Sequence, residues 1–239
     1  MSSRHIVAGS AGYVSDDGHR PRFGPTIEYA LTLRERSNPR IAYLGTATGD
    51  AATGIAAFYD AASQARVEAS HLQLFPLPNH LGIEEHLLAQ DVIWVGGGSV
   101  ANLVAVWRVH GLDHVLRKAW DAGIVLAGVS AGAICWSVGG PTDSFGVDLK
   151  PFRDGLGLLP YSCGVHYDSE ERRRPLFQRL IASGELPDGY ATDDGVMIHF
   201  AGDRFVAAVS DRPDAFAYRV HLEGGAVQED RIEPRLLAG

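Results

Sequence analysis

The sequence predicts an α/β fold built on a mainly parallel β-sheet, with antiparallel strands near the C-terminus. Short apolar runs alternate with longer segments whose apolar residues recur with helical periodicity. The run Asp91–Val95 is continuously apolar after its first residue, which is typical of a strand buried on both faces of a parallel sheet. Late apolar runs are joined by turn residues such as Gly202 and Asp203, which indicates antiparallel pairing. No repeat, linker or low-complexity segment separates these runs, so residues 1–239 are expected to form a single domain.

Each predicted strand is a short apolar run, and the predicted strands are His5–Gly9, Arg40–Gly45, His71–Leu77, Asp91–Val95, Gly123–Val129, Val196–Ala201, Arg204–Ser210 and Ala217–Leu222. The segments with helical periodicity are Gly24–Arg36, Asp50–Arg66, Ile83–Gln90, Ser99–His110, Leu112–Ala122 and a stretch near Glu170–Ser183. In the first of these helices, the apolar residues form one broad stripe, as in a helix with one buried face.

Composition excludes several classes of protein. Hydrophobic residues make up 46% and charged residues 21%, which is typical of a globular chain and not of a disordered one. The 21 Lys and Arg against 29 Asp and Glu give a net charge of −8, which argues against a general nucleic-acid or membrane-surface binder. Cys135 and Cys163 are too few for a disulfide framework or a zinc site of four cysteines, and reduced thiols are expected. With no signal-peptide pattern and no run of about 20 apolar residues, we expect a cytoplasmic protein.

The most informative segment is a nucleophile-elbow pattern. An apolar run, Gly123–Val129, leads into Gly128-Val129-Ser130-Ala131-Gly132, and an apolar helix-like stretch follows. Glycines on both sides of Ser130 allow the sharp strand-to-helix turn that exposes a nucleophilic hydroxyl, and the N–H of Ala131 is placed to stabilise an oxyanion. The alternative is a turn in which Ser130 only caps the helix.

A second glycine-rich turn, Gly96-Gly97-Gly98-Ser99, ends the preceding predicted strand. In a parallel sheet this loop would emerge at the same carboxyl edge as Ser130. Its bare N–H groups could then approach a substrate oxygen and supply a second oxyanion donor. A plain strand-to-helix turn is the alternative, and a dinucleotide site is disfavoured because the pattern is not Gly-x-Gly-x-x-Gly.

A nucleophilic serine needs a base and an orienting acid. Among ten histidines, His166 is ranked first because it lies in a loop downstream of Ser130. Asp143 and Asp148 are the nearest candidate acids, and either could equally be a solvated turn residue. A charge run at Arg172-Arg173-Arg174 could be a solvated helix face or a fork for a substrate carboxylate. Other histidines fall on predicted helices or strands: His86, His110, His114 and His199.

Taken together, the glycine turn at 96–99, the elbow at 128–132 and the segment His166-Tyr167 resemble the serine peptidases typified by peptidase E, an aspartyl dipeptidase family related to the cyanophycinases. The resemblance runs from Ile41 to about Phe200. It implies a three-layer sandwich like that of the class I glutamine amidotransferases, a flavodoxin-like arrangement, with serine in place of their cysteine.

By that resemblance, Ser130 is the nucleophile, His166 the base and Asp143 the acid. Gly97 and Gly98 join Ala131 in the oxyanion hole, and Ser99 with Arg172, Arg173 or Arg174 contacts the substrate. The residues Gly164-Val165 before His166 differ from those of both named enzymes. The sequence looks closest to a bacterial subgroup within the family.

The resulting hypothesis is a serine peptidase that hydrolyses short peptides, with dipeptides bearing an N-terminal aspartate as substrates, through a Ser-His-Asp triad and an acyl-enzyme. Three alternatives stay open: a cyanophycinase-like exopeptidase, an α/β-hydrolase-type esterase, and a non-catalytic binding module that retains the elbow. The esterase would use Ser130 with Asp193 or Asp194 and His221. No cofactor or metal is expected, because this chemistry needs none. The expected partner is a small peptide substrate, with no nucleic acid and no membrane, and a homodimer is allowed.

Overall fold

The structure is a computed structural model that describes residues 4–15 and 20–238. In chain order its strands are β1 (His5–Gly9), β2 (Tyr13–Val14), β3 (Arg22–Phe23), β4 (Arg40–Leu44), β5 (Glu68–Leu72), β6 (Val92–Val95), β7 (Val125–Val129), β8 (Gly140–Thr142), β9 (Lys150–Phe152), β10 (Ser162–Gly164), β11 (Gly189–Thr192), β12 (Val196–Ala201), β13 (Arg204–Ser210), β14 (Ala217–Glu223), β15 (Ala226–Ile232) and β16 (Arg235–Leu236). Its helices are α1 (Pro25–Thr32), α2 (Ala52–Ala62), α3 (Ile83–Leu88), α4 (Val100–Val109), α5 (Leu112–Asp121), α6 (Ala131–Ile134) and α7 (Arg173–Ala182).

An eight-stranded sheet forms the centre of the fold, in the spatial order β16-β13-β12-β1-β7-β6-β4-β5. The five strands from β1 to β5 in this order pair in parallel. On the other side of β1, β12 pairs antiparallel to it and β13 pairs antiparallel to β12. The predicted parallel sheet and its antiparallel C-terminal strands are therefore confirmed.

Side chains on the central strands alternate between two hydrophobic clusters. In β1, Ile6 and Ala8 face the cluster that contains residues of α4 and α5, whereas Val7 faces the cluster that contains residues of α1 and α2. Burial of one large aliphatic side chain contributes about 1.5–3 kcal/mol. Because each central strand buries side chains on both faces, helices are required on both sides, and the result is three layers.

A smaller four-stranded sheet, in the order β10-β11-β14-β15, packs with α7 around a third cluster. Helix α7 contributes Leu176, Phe177 and Leu180 to that cluster, and β11 and β14 contribute Ala191 and Val220. The sequence patterns did not predict β10, β11 or β15, because β10 and β11 are only three and four residues long and β15 is mostly polar.

One predicted strand is misplaced. The run His71–Leu77 was expected to form a strand, but β5 ends at Leu72. Beyond it, the carboxylate of Asp50 accepts the backbone N–H groups of Leu74, at 2.5 Å, and Phe75, at 3.0 Å. These two N–H groups therefore bind the Asp50 side chain, which anchors the loop, and do not pair with a neighbouring strand.

Among the described residues, no helix is both long enough and apolar enough to cross a membrane.

A buried histidine, His199, lies opposite Val7 in the middle of β1 and contacts His5 at the start of that strand. The ring of His199 in β12 lies 2.8 Å from the Nδ1 of His5 and 2.8 Å from the hydroxyl of Tyr29. Burial, followed by the nearby His5, lowers the pKa of His199 to about 4. The folded protein therefore holds this imidazole neutral at a pH where the unfolded chain, with an ordinary pKa of about 6.5, is protonated.

This shift predicts acid-sensitive stability. The neutral His199 contributes its full stabilisation of the folded protein above about pH 6.5. This contribution is lost as the pH falls toward 4, because the imidazole of the unfolded chain binds a proton more readily than that of the folded protein. Between pH 7 and pH 5, the free energy of unfolding should fall by about 1–2 kcal/mol through this group. Urea unfolding at both pH values should show a smaller fall in His199→Gln than in the wild type. The exposed His114→Gln serves as the control. Equal losses in His199→Gln and the wild type would contradict the assignment.

Candidate active site

Ser130 occupies a strained turn between β7 and α6. Its backbone has φ 56° and ψ −115°, a conformation that residues with a side chain rarely adopt. A Cβ atom at Gly128 would lie 2.3 Å from the carbonyl oxygen of Gly132, and one at Gly132 would lie 2.2 Å from that of Val95. Both positions therefore require glycine, and the elbow predicted from the sequence is present. The residue is partly exposed, and its hydroxyl makes no hydrogen bond within the described ranges.

The end of β1 anchors three loops at this edge of the sheet. The N–H of Ser130 donates to the carbonyl oxygen of Gly9 at 2.9 Å. Next along the chain, the hydroxyl of Ser10 accepts the N–H of His166 at 2.9 Å, and the carbonyl oxygen of Ser10 accepts the N–H of Gly195 at 3.0 Å. Ser130, His166 and Gly195, which are far apart in sequence, are thereby held close to the dipeptide Gly9-Ser10.

His166 is paired with Asp194. The distance from Nδ1 of His166 to Oδ1 of Asp194 is 2.5 Å, a short charge-assisted hydrogen bond. Partial burial alone would raise the pKa of the Asp194 carboxyl, but hydrogen bonds from His166 and Ser169 and the charges of His166 and Arg212 lower that pKa below its ordinary value. The carboxylate is therefore ionised at neutral pH. It fixes the imidazole so that Nε2 is left for chemistry.

This pairing corrects the predicted acid. Asp143 was expected to orient His166, but its side chain is 62% exposed and lies 4.0 Å from the guanidinium of Arg173. Asp148, the alternative, pairs with Arg172 instead. Asp143 is the first residue of the loop between β8 and β9, whereas Asp194 lies in the short turn that joins β11 to β12.

The glycine-rich loop lies beside the serine. A Cβ atom at Gly97 would lie 3.3 Å from the Cβ of Ser130, which places this loop next to the hydroxyl. In the described part of the chain, the N–H groups of Gly97, Gly98 and Ala131 donate to no acceptor. Ser99 accepts the N–H of Asn102 at 3.2 Å and caps α4, and its predicted contact with substrate stays a prediction. The oxyanion assignment of Gly97, Gly98 and Ala131 stays a prediction.

The three arginines all have acidic partners within the chain. Arg172 lies 3.3 Å from Asp148 and is 66% exposed. Arg173 is buried, bonded to both carboxylate oxygens of Glu170 and to the carbonyl oxygen of Pro141. Arg174 pairs with Glu229 and stacks over two tyrosine rings. Arg173 and Arg174 are therefore occupied in holding α7 to its surroundings, and a contact between the three arginines and a substrate carboxylate stays a prediction.

The remaining candidates are occupied elsewhere. The ring nitrogens of His221 lie 3.7 Å from Glu223 and from Asp230, and the Asp193 carboxylate accepts from Phe216 and Tyr218. Burial raises the pKa of the Cys163 thiol to about 12, which makes it a poor nucleophile. The described residues contain no cluster of three or more His, Cys, Asp or Glu side chains suited to a metal ion.

Comparison with known proteins agrees with this geometry. The sequence profile of peptidase family S51 matches residues 6–208. The chain belongs to peptidase family S51. It is 44% identical over 204 residues to "Uncharacterized peptidase YgaJ" of Bacillus subtilis (strain 168), covering 84% of this chain and 86% of that protein. It is 26% identical over 146 residues to peptidase E of Actinobacillus pleuropneumoniae serotype 5b (strain L20), covering 57% of this chain and 62% of that one.

Two solved structures share the fold of this S51 peptidase. A protein of Listeria monocytogenes EGD-e, provisionally described as a peptidase E, superposes with a TM-score of 0.62 at 18% identity and covers 86% of this chain and 98% of its own. A peptidase from an acI-B1 Actinobacterium superposes with a TM-score of 0.67 at 15% identity and covers 97% of both chains. At these identities the likeness supports the mixed α/β fold.

The His166–Asp194 pair predicts a ranking of aspartate variants. Asp194→Asn should lower peptidase turnover by about 10³–10⁴-fold, because an amide favours the wrong imidazole tautomer. Asp143→Asn should stay within about threefold of the wild type, since an exposed ion pair contributes little. Steady-state kinetics of the two purified variants distinguish them, with Asp148→Asn as a second control. A larger loss in Asp143→Asn than in Asp194→Asn would return the acid role to Asp143.

Proposed function

We propose that the protein is a serine peptidase in which Ser130 is the nucleophile, His166 the base and Asp194 the orienting acid. One observation carries the proposal. The N–H groups of Ser130 and of His166, whose imidazole is bonded to a carboxylate, both donate to the dipeptide Gly9-Ser10. Beside them lies a glycine-rich loop whose N–H groups at Gly97 and Gly98 donate to no acceptor among the described residues. Membership of peptidase family S51 supports hydrolysis of peptide bonds as the reaction.

The proposed reaction follows from these positions. Nε2 of His166 takes the proton of the Ser130 hydroxyl as Oγ attacks the scissile carbonyl carbon. The carbonyl oxygen becomes an oxyanion that accepts hydrogen bonds from Ala131 and from Gly97 or Gly98. The same imidazole then protonates the leaving amine, which yields an acyl-enzyme, and a water molecule hydrolyses the ester by the reverse proton transfers. The Ser130 hydroxyl has no competing partner in the described structure, so it can rotate toward His166 when substrate binds.

The proposed substrates are short peptides, and dipeptides with an N-terminal aspartate are the first to test. The relatives named peptidase E support this choice. Among the arginines, Arg172 is the best candidate to receive a substrate carboxylate, because its pair with Asp148 is highly exposed. Such a pair contributes about 0–1 kcal/mol, so a substrate could displace Asp148 at little cost.

We also propose that the sheet has the flavodoxin-like topology of the class I glutamine amidotransferases. A parallel sheet with its nucleophile at the carboxyl edge and helices on both faces supports this classification. The esterase hypothesis loses its basis, since its base, His221, is not paired with Asp193 or Asp194.

Removing the nucleophile tests the proposal directly. Ser130→Ala should lower peptide hydrolysis by several orders of magnitude, because triad residues act as a unit. It should also lose labelling by a fluorophosphonate probe. The variant removes only one hydroxyl, so its thermal unfolding should stay close to that of the wild type. Unchanged hydrolysis in folded Ser130→Ala would end the serine-peptidase proposal, and absence of labelling in the wild type would favour a binding module.

Specificity is tested with a matched pair of dipeptides. Asp-Leu should be cleaved about 10-fold faster than Asn-Leu in kcat/KM, because a guanidinium distinguishes a carboxylate from an amide of the same shape. Arg172→Ala should reduce that ratio toward one. Arg231→Ala, which removes another exposed arginine paired with a neighbouring glutamate, should leave the ratio unchanged. Equal kcat/KM values for the two dipeptides in the wild type would remove the aspartate preference.

A further inference from the structure

Ser10 is a buried side chain to which the proposed triad assigns no chemical step, yet its hydroxyl is bonded directly to the backbone of the base. The residue is 7% exposed and follows the last residue of β1. Its Oγ lies 2.9 Å from the backbone nitrogen of His166, 3.1 Å from the carbonyl oxygen of Thr192 and 2.7 Å from Oγ1 of Thr192.

The bonding capacity of this hydroxyl is fully used. A serine hydroxyl has one proton to donate and two lone pairs that accept. The proton of Ser10 goes to the carbonyl oxygen of Thr192, because that oxygen can only accept. One lone pair then accepts the N–H of His166, and the other accepts the hydroxyl proton of Thr192. Loss of the hydroxyl would leave all three groups without this partner.

His166 needs such support, because its backbone is held in an unfavourable conformation. Its φ is 54°, in the left-handed region that residues with a side chain seldom adopt. A conformation of this kind persists only where surrounding contacts fix it. The N–H of the next residue, Tyr167, also donates to the carbonyl oxygen of Thr192. Ser10 and Thr192 together therefore fix the turn that aims the imidazole.

The same residue also reaches the acid. The carbonyl oxygen of Ser10 accepts the N–H of Gly195, which directly follows Asp194. Thr192, the partner of the Ser10 hydroxyl, is two residues before Asp194. One residue therefore holds both sides of the His166–Asp194 pair relative to the strand that also anchors Ser130.

We propose that Ser10 is a positioning residue of the active site, which acts through His166 by fixing the backbone of the base relative to Ser130. The proposal rests on the proposed serine-peptidase function. Ser10 touches no reacting atom, so its removal changes the rate of the chemical step and leaves substrate binding largely intact. A displacement of about 1 Å in a catalytic group can lower the rate of a step by about 100-fold.

The test measures inactivation by a fluorophosphonate probe, separating the limiting rate kinact from the binding constant KI. Ser10→Ala should lower kinact by about 10- to 100-fold and change KI by less than about threefold. Ser137→Ala is the matched control. Ser137 is also buried, and its hydroxyl likewise accepts a backbone N–H, from Gly139, and donates to a backbone carbonyl, that of Ile134. Its kinact should stay within about twofold of the wild type.

A double-mutant cycle separates positioning from a general structural effect. If Ser10 acts through His166, then adding Ser10→Ala to His166→Ala should change the residual kinact by less than about twofold. A loss as large as in the wild-type background, or a kinact of Ser10→Ala within twofold of the wild type, would overturn the proposal. Should Ser10→Ala fail to fold, Ser10→Cys replaces it under the same criteria, because the thiol keeps the size with much weaker hydrogen bonding.

Labelling of Ser130→Ala distinguishes a failure of the proposed serine-peptidase function from a failure of the proposed positioning role of Ser10. Labelling of Ser130→Ala at the wild-type rate would overturn the serine-peptidase function itself. An unlabelled Ser130→Ala together with a fully reactive Ser10→Ala would overturn only the positioning role of Ser10.

Discussion

The hydrogen bonds at the end of β1 are the constraint on which the candidate active site depends. Gly9 and Ser10 receive the backbone N–H groups of Ser130, His166 and Gly195. These three residues lie on loops that belong to different parts of the chain: the elbow after β7, the turn after β10, and the β11–β12 turn. β1 pairs in parallel with β7 and antiparallel with β12, so its end lies beside the elbow and the β11–β12 turn. The turn after β10 is joined to this end by the hydrogen bond from the N–H of His166 to the hydroxyl of Ser10.

Two of the four described non-glycine residues with positive φ are Ser130 and His166, to which the proposed chemistry is assigned. Ser130 and His166 both have positive φ without being glycine, at a cost of about 1–3 kcal/mol each. On one side these residues are held by the buried central strands β1, β6 and β7. On the other side is a network in which Asp168 accepts the N–H of Asp194 and lies 3.4 Å from Arg212. Strain that is supported in this way is a form of preorganisation, since the groups need little rearrangement before reaction.

Much of the fold and the elbow at Ser130 could be predicted from sequence, because both depend on local pattern. Strands β1, β12 and β13 have their predicted bounds, since continuous or alternating apolar runs between turn residues leave few alternatives. The elbow could be identified because its Gly-x-Ser-x-Gly pattern is local, although the contact that requires Gly132 is with Val95 of the neighbouring strand β6. By contrast, Asp194, the proposed acid, is 28 residues from His166, and their contact depends on how β11 and β12 are placed. The sequence alone indicates Asp194 only as a possible triad acid of the alternative esterase. The acidic partners of Arg172 and Arg174 are 24 and 55 residues away, so no local pattern could reveal these ion pairs. Glu170 is only 3 residues from Arg173, but the second partner of Arg173, the carbonyl oxygen of Pro141, is 32 residues away.

The central claim, that Ser130 and His166–Asp194 act as one unit beside an oxyanion site, is tested most directly by a crystal structure of the protein after reaction with a fluorophosphonate. The account predicts phosphorus bonded to Oγ of Ser130 and a phosphonyl oxygen within hydrogen-bond distance of the N–H of Ala131 and of Gly97 or Gly98. It also predicts Nε2 of His166 facing the adduct and Nδ1 bonded to Asp194. An adduct on another residue, or an imidazole bonded to a different carboxylate, would contradict it.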